Sequence, residues 1–164
     1  MSRADLIVYQ EEFQKLEDCL ERLQLDSSAR AVFLIDKNGQ QISATGDVAS
    51  FDTTSLASLT AGNVAATDGL AKLIGEREFS VLFHEGERDH IHISVVADRA
   101  ILVVIFDERS SLGLVRLRVK RASAEMRELF DQMDSSRQLA PAGTAAPSPF
   151  SEITDEDIDA LFSE

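Results

Sequence analysis

The spacing of apolar residues changes period along this chain and marks out its elements. Leu6, Tyr9, Phe13, Leu16, Leu20 and Leu23 recur at intervals of three and four among Glu11, Glu12, Lys15, Glu17, Asp18, Glu21 and Arg22, the pattern of an amphipathic helix. Ala31–Ile35 (AVFLI) is an unbroken apolar run. Asp36-Lys37-Asn38-Gly39 follows, and Asn-Gly predicts a type I′ hairpin turn, with positive φ at both central residues, leading into a return strand over Gln41–Thr45. Asp52, Thr53, Thr54 and Ser55 offer caps for a helix over about Leu56–Ile74 that stops at Gly75. Phe79, Val81 and Phe83 then alternate with Ser80, Leu82 and His84, and Ile91, Ile93 and Val95 alternate with His90, His92 and Ser94. Ala100–Phe106 (AILVVIF) is apolar throughout. Ser110 or Ser111 caps a last helix carrying Leu112, Val115, Val119, Ala122, Met126, Leu129 or Phe130, and Met133. Its VRLRVK segment also alternates like a strand, but the helical spacing continues through Met126.

The order is helix, two strands, helix, three strands, helix. The first and fifth strands are apolar on both sides and belong at the centre of a sheet covered on both faces. Keeping both hairpins and placing those two strands together leaves one arrangement. This is an α/β fold of the α+β kind, with a five-stranded antiparallel sheet in the order 2-1-5-4-3. The first and last helices lie on one face and the middle helix on the other. Leu56, Leu59, Ala66, Leu70 and Leu73 of that middle helix are expected to meet the sheet. Rotated from them is a row of small residues, Ala57, Ala61, Ala65 and Gly69, with Ser58 and Gly62 beside it. Each helical glycine costs about 1 kcal/mol against alanine. The predicted topology gives this row no helix partner within the chain, so the row is read as an intermolecular contact, with a second copy, another protein, or both; packing inside its own core is the alternative.

The chain has 164 residues, 44% of them hydrophobic, and a net charge of −13. That suits one domain. So acidic a chain disfavours nucleic acid and anionic membrane surfaces as partners. No apolar run reaches the roughly 20 residues of a membrane span. The amino terminus turns acidic too early for a secretory signal, and the single Cys19 fits a reducing compartment, so a cytoplasmic protein is expected. All three prolines fall between Asp134 and Pro149, which predicts a domain over residues 1–133, a Pro/Ala/Ser linker over 134–149 and an acidic tail over 150–164. In the tail, Thr154-Asp155-Glu156-Asp157 resembles a helix start, and Phe150, Ile153, Ile158, Leu161 and Phe162 supply an apolar edge that orders on docking. Arg116, Arg118, Lys120 and Arg121 form a basic cluster that an acidic tail can meet, or a solvated helix face.

No catalytic constellation stands out. There is no GxxxxGK[ST] loop and no glycine-rich dinucleotide motif. Arg77, Arg88, Arg99 and Arg109 are formal candidates for an arginine finger, with solvated surface residues as the plainer reading. His90 and His92 share a strand face, with His84 nearby, but no cysteine completes a zinc set, so no metal is expected. Cys19, one step off the apolar face of the first helix, reads as buried filler. An enzyme with its own active site is therefore disfavoured.

The segments VYQEEF (Val8–Phe13), VFLIDKNGQQIS (Val32–Ser43), DTTSLASLTAGNVAATDGLAKLIGE (Asp52–Glu76), FHEG (Phe83–Gly86), VVIFDERSSLGLVRLRVK (Val103–Lys120) and SPFSEITDEDIDALFSE (Ser148–Glu164) together resemble the Roadblock domain family, within it the bacterial branch that partners Ras-like GTPases of MglA type. The family fold matches the order reached above. The resemblance implies a homodimer through the middle helix and the adjoining edge strand, binding one GTPase per dimer with Ala61, Ala65 and Gly69 near the contact. It implies acceleration of GTP hydrolysis by reshaping the partner's own switch regions, in cell polarity and gliding motility. The protein would then be cytoplasmic and concentrated at a cell pole. It implies no cofactor of the chain's own, the nucleotide and magnesium belonging to the GTPase, and a tail that docks on the GTPase and favours nucleotide exchange. A scaffold that recruits a GTPase without accelerating hydrolysis is the alternative. Thr67-Asp68 departs from the smaller or apolar residues expected there.

Overall fold

The structure is a computed structural model in which residues 3–139 are described, with side chains over 10–135. Helix α1 (Arg3–Asp26) leads into strands β1 (Ala31–Asp36) and β2 (Gln41–Gly46). A single 3-10 turn (Val48–Ser50) precedes helix α2 (Thr53–Leu73), and β3 (Val81–His84), β4 (His90–Val96), β5 (Ala100–Phe106) and helix α3 (Leu112–Leu139) follow. The sheet order is β2-β1-β5-β4-β3, every pair antiparallel, as the patterning predicts.

The two central strands are buried on both faces. On one side Val32, Leu34, Leu102, Val104 and Phe106 meet Leu16, Cys19, Leu20 and Leu23 of α1 and Val115, Val119, Ala122, Met126 and Phe130 of α3. On the other, Phe33, Ile35, Ile101, Val103 and Ile105 meet α2. Phe13, assigned to the apolar face of α1, is 38% exposed; the buried stripe there begins with Glu12 and Leu16.

The β1–β2 hairpin forms, but its turn differs from the expected type I′. Only Gly39 takes positive φ, at +88°, while Asn38 does not. The amide of Gly39 donates to the carbonyl of Asp36 (3.1 Å), and the Asp36 carboxylate accepts from the amides of Asn38 and Gln40 (2.9 and 3.0 Å). The aspartate thus stabilises an ordinary turn through Lys37 and Asn38, closed by a left-handed glycine, and the register slips between Leu34 and Ile35 to absorb the extra residue.

Helix α3 does not end at Met133, where the composition changes. It continues through Leu139, so residues 134–139 of the expected linker are helical. Ser135 donates back to the carbonyl of Asp131 and Asp134 pairs with Arg99, while the first proline comes only at Pro141. The remainder of that linker, and the tail with Phe150, Ile153, Ile158, Leu161 and Phe162, lie outside the described residues.

One end of the sheet is closed by charge. Arg30, just before β1, pairs with Asp47 after β2 and Asp89 before β4, both at 3.0 Å, and lies over the Phe51 ring at 5.0 Å. Asp107, after β5, holds Arg109 at 3.0 Å. Hydrogen bonds from Ser50 and then Arg30 hold the Asp47 carboxyl below the usual aspartate range, and Arg109 does the same for Asp107. Carboxyls depressed in the folded state contribute stability that is complete above their unfolded pKa and is lost as pH falls through the folded value. Urea midpoints should therefore drop as pH is lowered through about 4, and Asp47→Asn should flatten that drop; an unchanged profile in the variant would remove Asp47 from the network.

Candidate partner-binding surface

Helix α2 is fixed at both ends by its own sequence. Asp52 caps it, accepting from the amide of Ser55 (3.2 Å) and its hydroxyl (2.7 Å), which lowers the Asp52 pKa. At the other end Gly75, at φ +80°, turns the chain out of the helix. Midway, the Asn63 amide donates to Nε2 of His84 at 3.0 Å, tying the helix to β3.

The face turned to the sheet is not the leucine face. The buried residues of α2 are Ala57, Thr60, Val64 and Ala71, with Leu56 and Ala61 partly covered beside them. Leu59, Leu70 and Leu73, expected to meet the sheet, are 74%, 59% and 83% exposed, and Ala66 is also exposed. The physical reason is close approach. A methyl group on Gly39 would lie 3.3 Å from the Cα of Ser58 and 3.5 Å from the Cβ of Ala61, so short side chains let this helix settle onto the β1–β2 turn. Bulkier leucines at those positions would lift it away.

The row of small residues is therefore divided. Ala57 is buried against the chain's own sheet and is not available to a partner, which corrects its assignment to the contact. Ala61 is half-buried at the boundary, whereas Gly62, Ala65 and Gly69 are exposed. A Cβ on Gly62 or Gly69 would meet nothing within 4 Å, so no contact within the described chain calls for either glycine. Together with Leu59, Leu70, Leu73 and Ile74 they make a surface with apolar bulk and open helix backbone side by side. Asp68 is half-buried, with Oδ1 shielded and unpartnered among the described residues. Beyond α2 runs β3, an edge strand whose Val81 is 46% exposed.

The basic residues of α3 do not form one cluster. Arg118 and Arg121 line a cleft against α1 with Cys19, Arg22, Asp26 and Glu125. Arg116, on another face, lies close enough to His92 to lower that imidazole's pKa further, after burial, its main cause. Lys120 is exposed and does not line the cleft.

Of the arginine-finger candidates, Arg109 is held by Asp107, and Arg99 by Asp134 with its guanidinium over the Phe130 ring at 5.8 Å. Arg77 and Arg88 are exposed. The histidines diverge: His84 turns to Asn63, Nδ1 of His90 accepts from the amide of Gly86 (3.2 Å), and His92 is buried on the α1–α3 side. Among the described residues no three His, Cys, Asp or Glu side chains converge on a metal position. No helix described is long and apolar enough to cross a membrane. Burial, aided by Glu125, pushes the Cys19 thiol up to about 12, so it stays protonated. Sequence reasoning missed Arg30, because a lone arginine between two elements carries no signal of the three loops it joins.

Residues 15–106 match the Roadblock/LC7 domain family. Among solved structures the chain is similar to Myxococcus xanthus MglB, at 58% identity over 75% of this chain and 92% of that one, with a TM-score of 0.73. It is also similar to the gliding protein MglB of Thermus thermophilus, at 34% identity over 74% and 92%, TM-score 0.69. A further MglB structure, described as having a tetrameric arrangement, gives 32% identity over 74% and 92%, TM-score 0.69. No match is found among curated proteins.

If Gly62 and Gly69 answer to nothing inside the subunit, alanine at either should stabilise the isolated fold by about 0.5–1 kcal/mol in urea titrations at low protein concentration. Ala57→Leu, on the buried side of the same row, should instead lose about 1–3 kcal/mol through overpacking. Equal losses at all three positions would mean that the whole row is packed internally.

Proposed function

The chain belongs to the Roadblock/LC7 domain family, and from that premise we propose that it acts as a homodimeric activator of a small Ras-like GTPase of MglA type, in bacterial polarity and gliding motility. The observation that carries this reading is the outer face of α2. It presents exposed leucines beside two glycines at which an added Cβ would meet nothing within 4 Å among the described residues. Two copies meeting through α2 and the β3 edge would cover part of that surface, and one GTPase seated on the paired helices would cover Ala65 and Gly69. Similarity to MglB proteins, one of them described as a gliding protein, supports the same assignment.

The activation works through the partner's residues. Arg99 and Arg109 are engaged in ion pairs of their own and are poorly placed to serve as fingers. The dimer acts by binding the hydrolysis-competent arrangement of the GTPase switch regions better than the relaxed one. Only that difference in affinity shifts the population and raises the rate. Nucleotide and magnesium stay with the GTPase. The tail over 150–164 docks on the GTPase as a short amphipathic helix through Phe150, Ile153, Ile158, Leu161 and Phe162, and favours nucleotide exchange.

Single-turnover GTP hydrolysis by an MglA-type GTPase, with and without this protein, tests the reading directly: the rate should rise. Binding without acceleration would leave a recruiting scaffold. Ala65→Arg places a charged side chain on the exposed face and should abolish GTPase binding with circular dichroism and melting unchanged; binding that survives locates the contact elsewhere. Truncation after Gln138 should spare the stimulation of hydrolysis and alter the rate of nucleotide exchange. Identical exchange rates would make the tail inert in this step.

A further inference from the structure

The cleft between α1 and α3 has a volume of about 130 Å³, a floor of Cys19, Leu23 and Ala122, and walls that carry Arg118 and Arg121. Two acids share it. Glu125 is taken by Arg22 at 3.0 Å, whereas Asp26 reaches neither Arg118 nor Arg121 within ion-pair distance. Among the described residues Arg118 and Arg121 have no ion pair, and Nε of Arg118 is shielded from solvent without an acceptor. A shielded guanidinium N–H without an acceptor is costly, and a carboxylate is its strongest complement.

We propose that this cleft is the resting site of the chain's own acidic segment, Glu152–Asp159. The two partners are complementary in charge where they would meet. Beyond Arg121, toward the end of α3, the surface between the two helices carries Asp18, Glu125 and Glu128 with Lys15 and Arg22, and both of those cations are already ion-paired, to Glu12 and Glu125. The chain that must cross this stretch, residues 138–151, carries no charge, and five acids follow between Glu152 and Asp159. The reach suffices. Returning from Leu139 to Arg121 along the helix is about 27 Å at 1.5 Å per residue, and the thirteen steps from Leu139 to Glu152 span up to about 43 Å when extended. An acidic segment docked there satisfies Arg118 and Arg121 and is withheld from any other partner until displaced. On the activator reading this gates the tail's action on the GTPase, but the docking itself requires no GTPase.

A nitroxide on Ser163→Cys of the full chain, with amide signals followed by NMR, tests this. The shielded Cys19 thiol, with its pKa pushed up to about 12, escapes labelling. The amide signals of Arg118, Arg121 and Ala122 should be lost while those of Ala65 and Gly69 on α2 persist. The lost signals should return in Arg118→Gln/Arg121→Gln and at high salt, where screening shortens the range of charge attraction. Arg121→Gln alone, at an exposed position, should restore them in part and guards against misfolding of the double variant. Signals that never broaden, or broadening that survives the glutamine substitutions, would overturn the proposal. So would broadening that appears only between a spin-labelled chain and a separate isotope-labelled one. Because no GTPase is present, failure here leaves the activator reading intact.

Discussion

Two central strands that are apolar on both faces impose the architecture. β1 and β5 cannot leave either side to water, so the sheet needs a cover on each. Two helices with bulky stripes, α1 and α3, cover one side, where Leu16, Leu20, Val115 and Met126 are buried almost completely. A single helix covers the other. There the bulk comes from the sheet, from Phe33, Ile35 and Ile101, and from Phe51, which meets Phe33 edge to face. α2 contributes mainly short side chains. A helix whose small residues face inward leaves its large ones outside, and the exposed leucines of α2 follow from the way the core is divided.

That division explains which parts of the fold could be read in the sequence. Strand order was legible because it rests on local signals: three tight connections between successive strands, and two runs apolar without interruption. The glycines in the helix interior were also legible, and Gly62 and Gly69 lie exposed on α2. The facing of that helix was not. Hydrophobic periodicity identifies an apolar face but does not say which of two apolar faces belongs to the sheet. Leu59, Leu70 and Leu73 read as core by size alone, while the determining fact, the closeness of Gly39 to Ser58 and Ala61, joins segments about twenty residues apart. The hairpin turn failed for a similar reason. Asn-Gly signalled reversal correctly, but the carboxylate of Asp36, accepting two amides, selected another turn.

Charge was legible in sum and illegible in detail. The excess of acid was plain, yet the arginines that matter most for the fold are those that escape any pattern. Arg30 bridges the ends of β2 and β4 from the start of β1, and its amide also donates to the carbonyl of Ile105 at the end of β5 (2.8 Å). One residue therefore ties four strand ends together. In α3 the sequence grouped Arg116, Arg118, Lys120 and Arg121 because they are neighbours in the chain. A helix turns by 100° per residue, and it sends Arg118 and Arg121 to the cleft with α1 and leaves Arg116 beside His92.

On the proposed activator reading, a surface that accelerates a partner's reaction without donating a group must be rigid, because a face that yields binds both forms of the partner alike and shifts no population. α2 has the means for rigidity along its length. Asp52 caps its first turn, the β1–β2 turn presses against Ala57 to Ala61, Asn63 is anchored to His84, and Gly75 ends it cleanly. Glycine in such a helix usually implies looseness. Here the restraints come from the opposite face, so Gly62 and Gly69 can leave the backbone open without setting it free. Openness and stiffness are reconciled because different sides of one helix supply them.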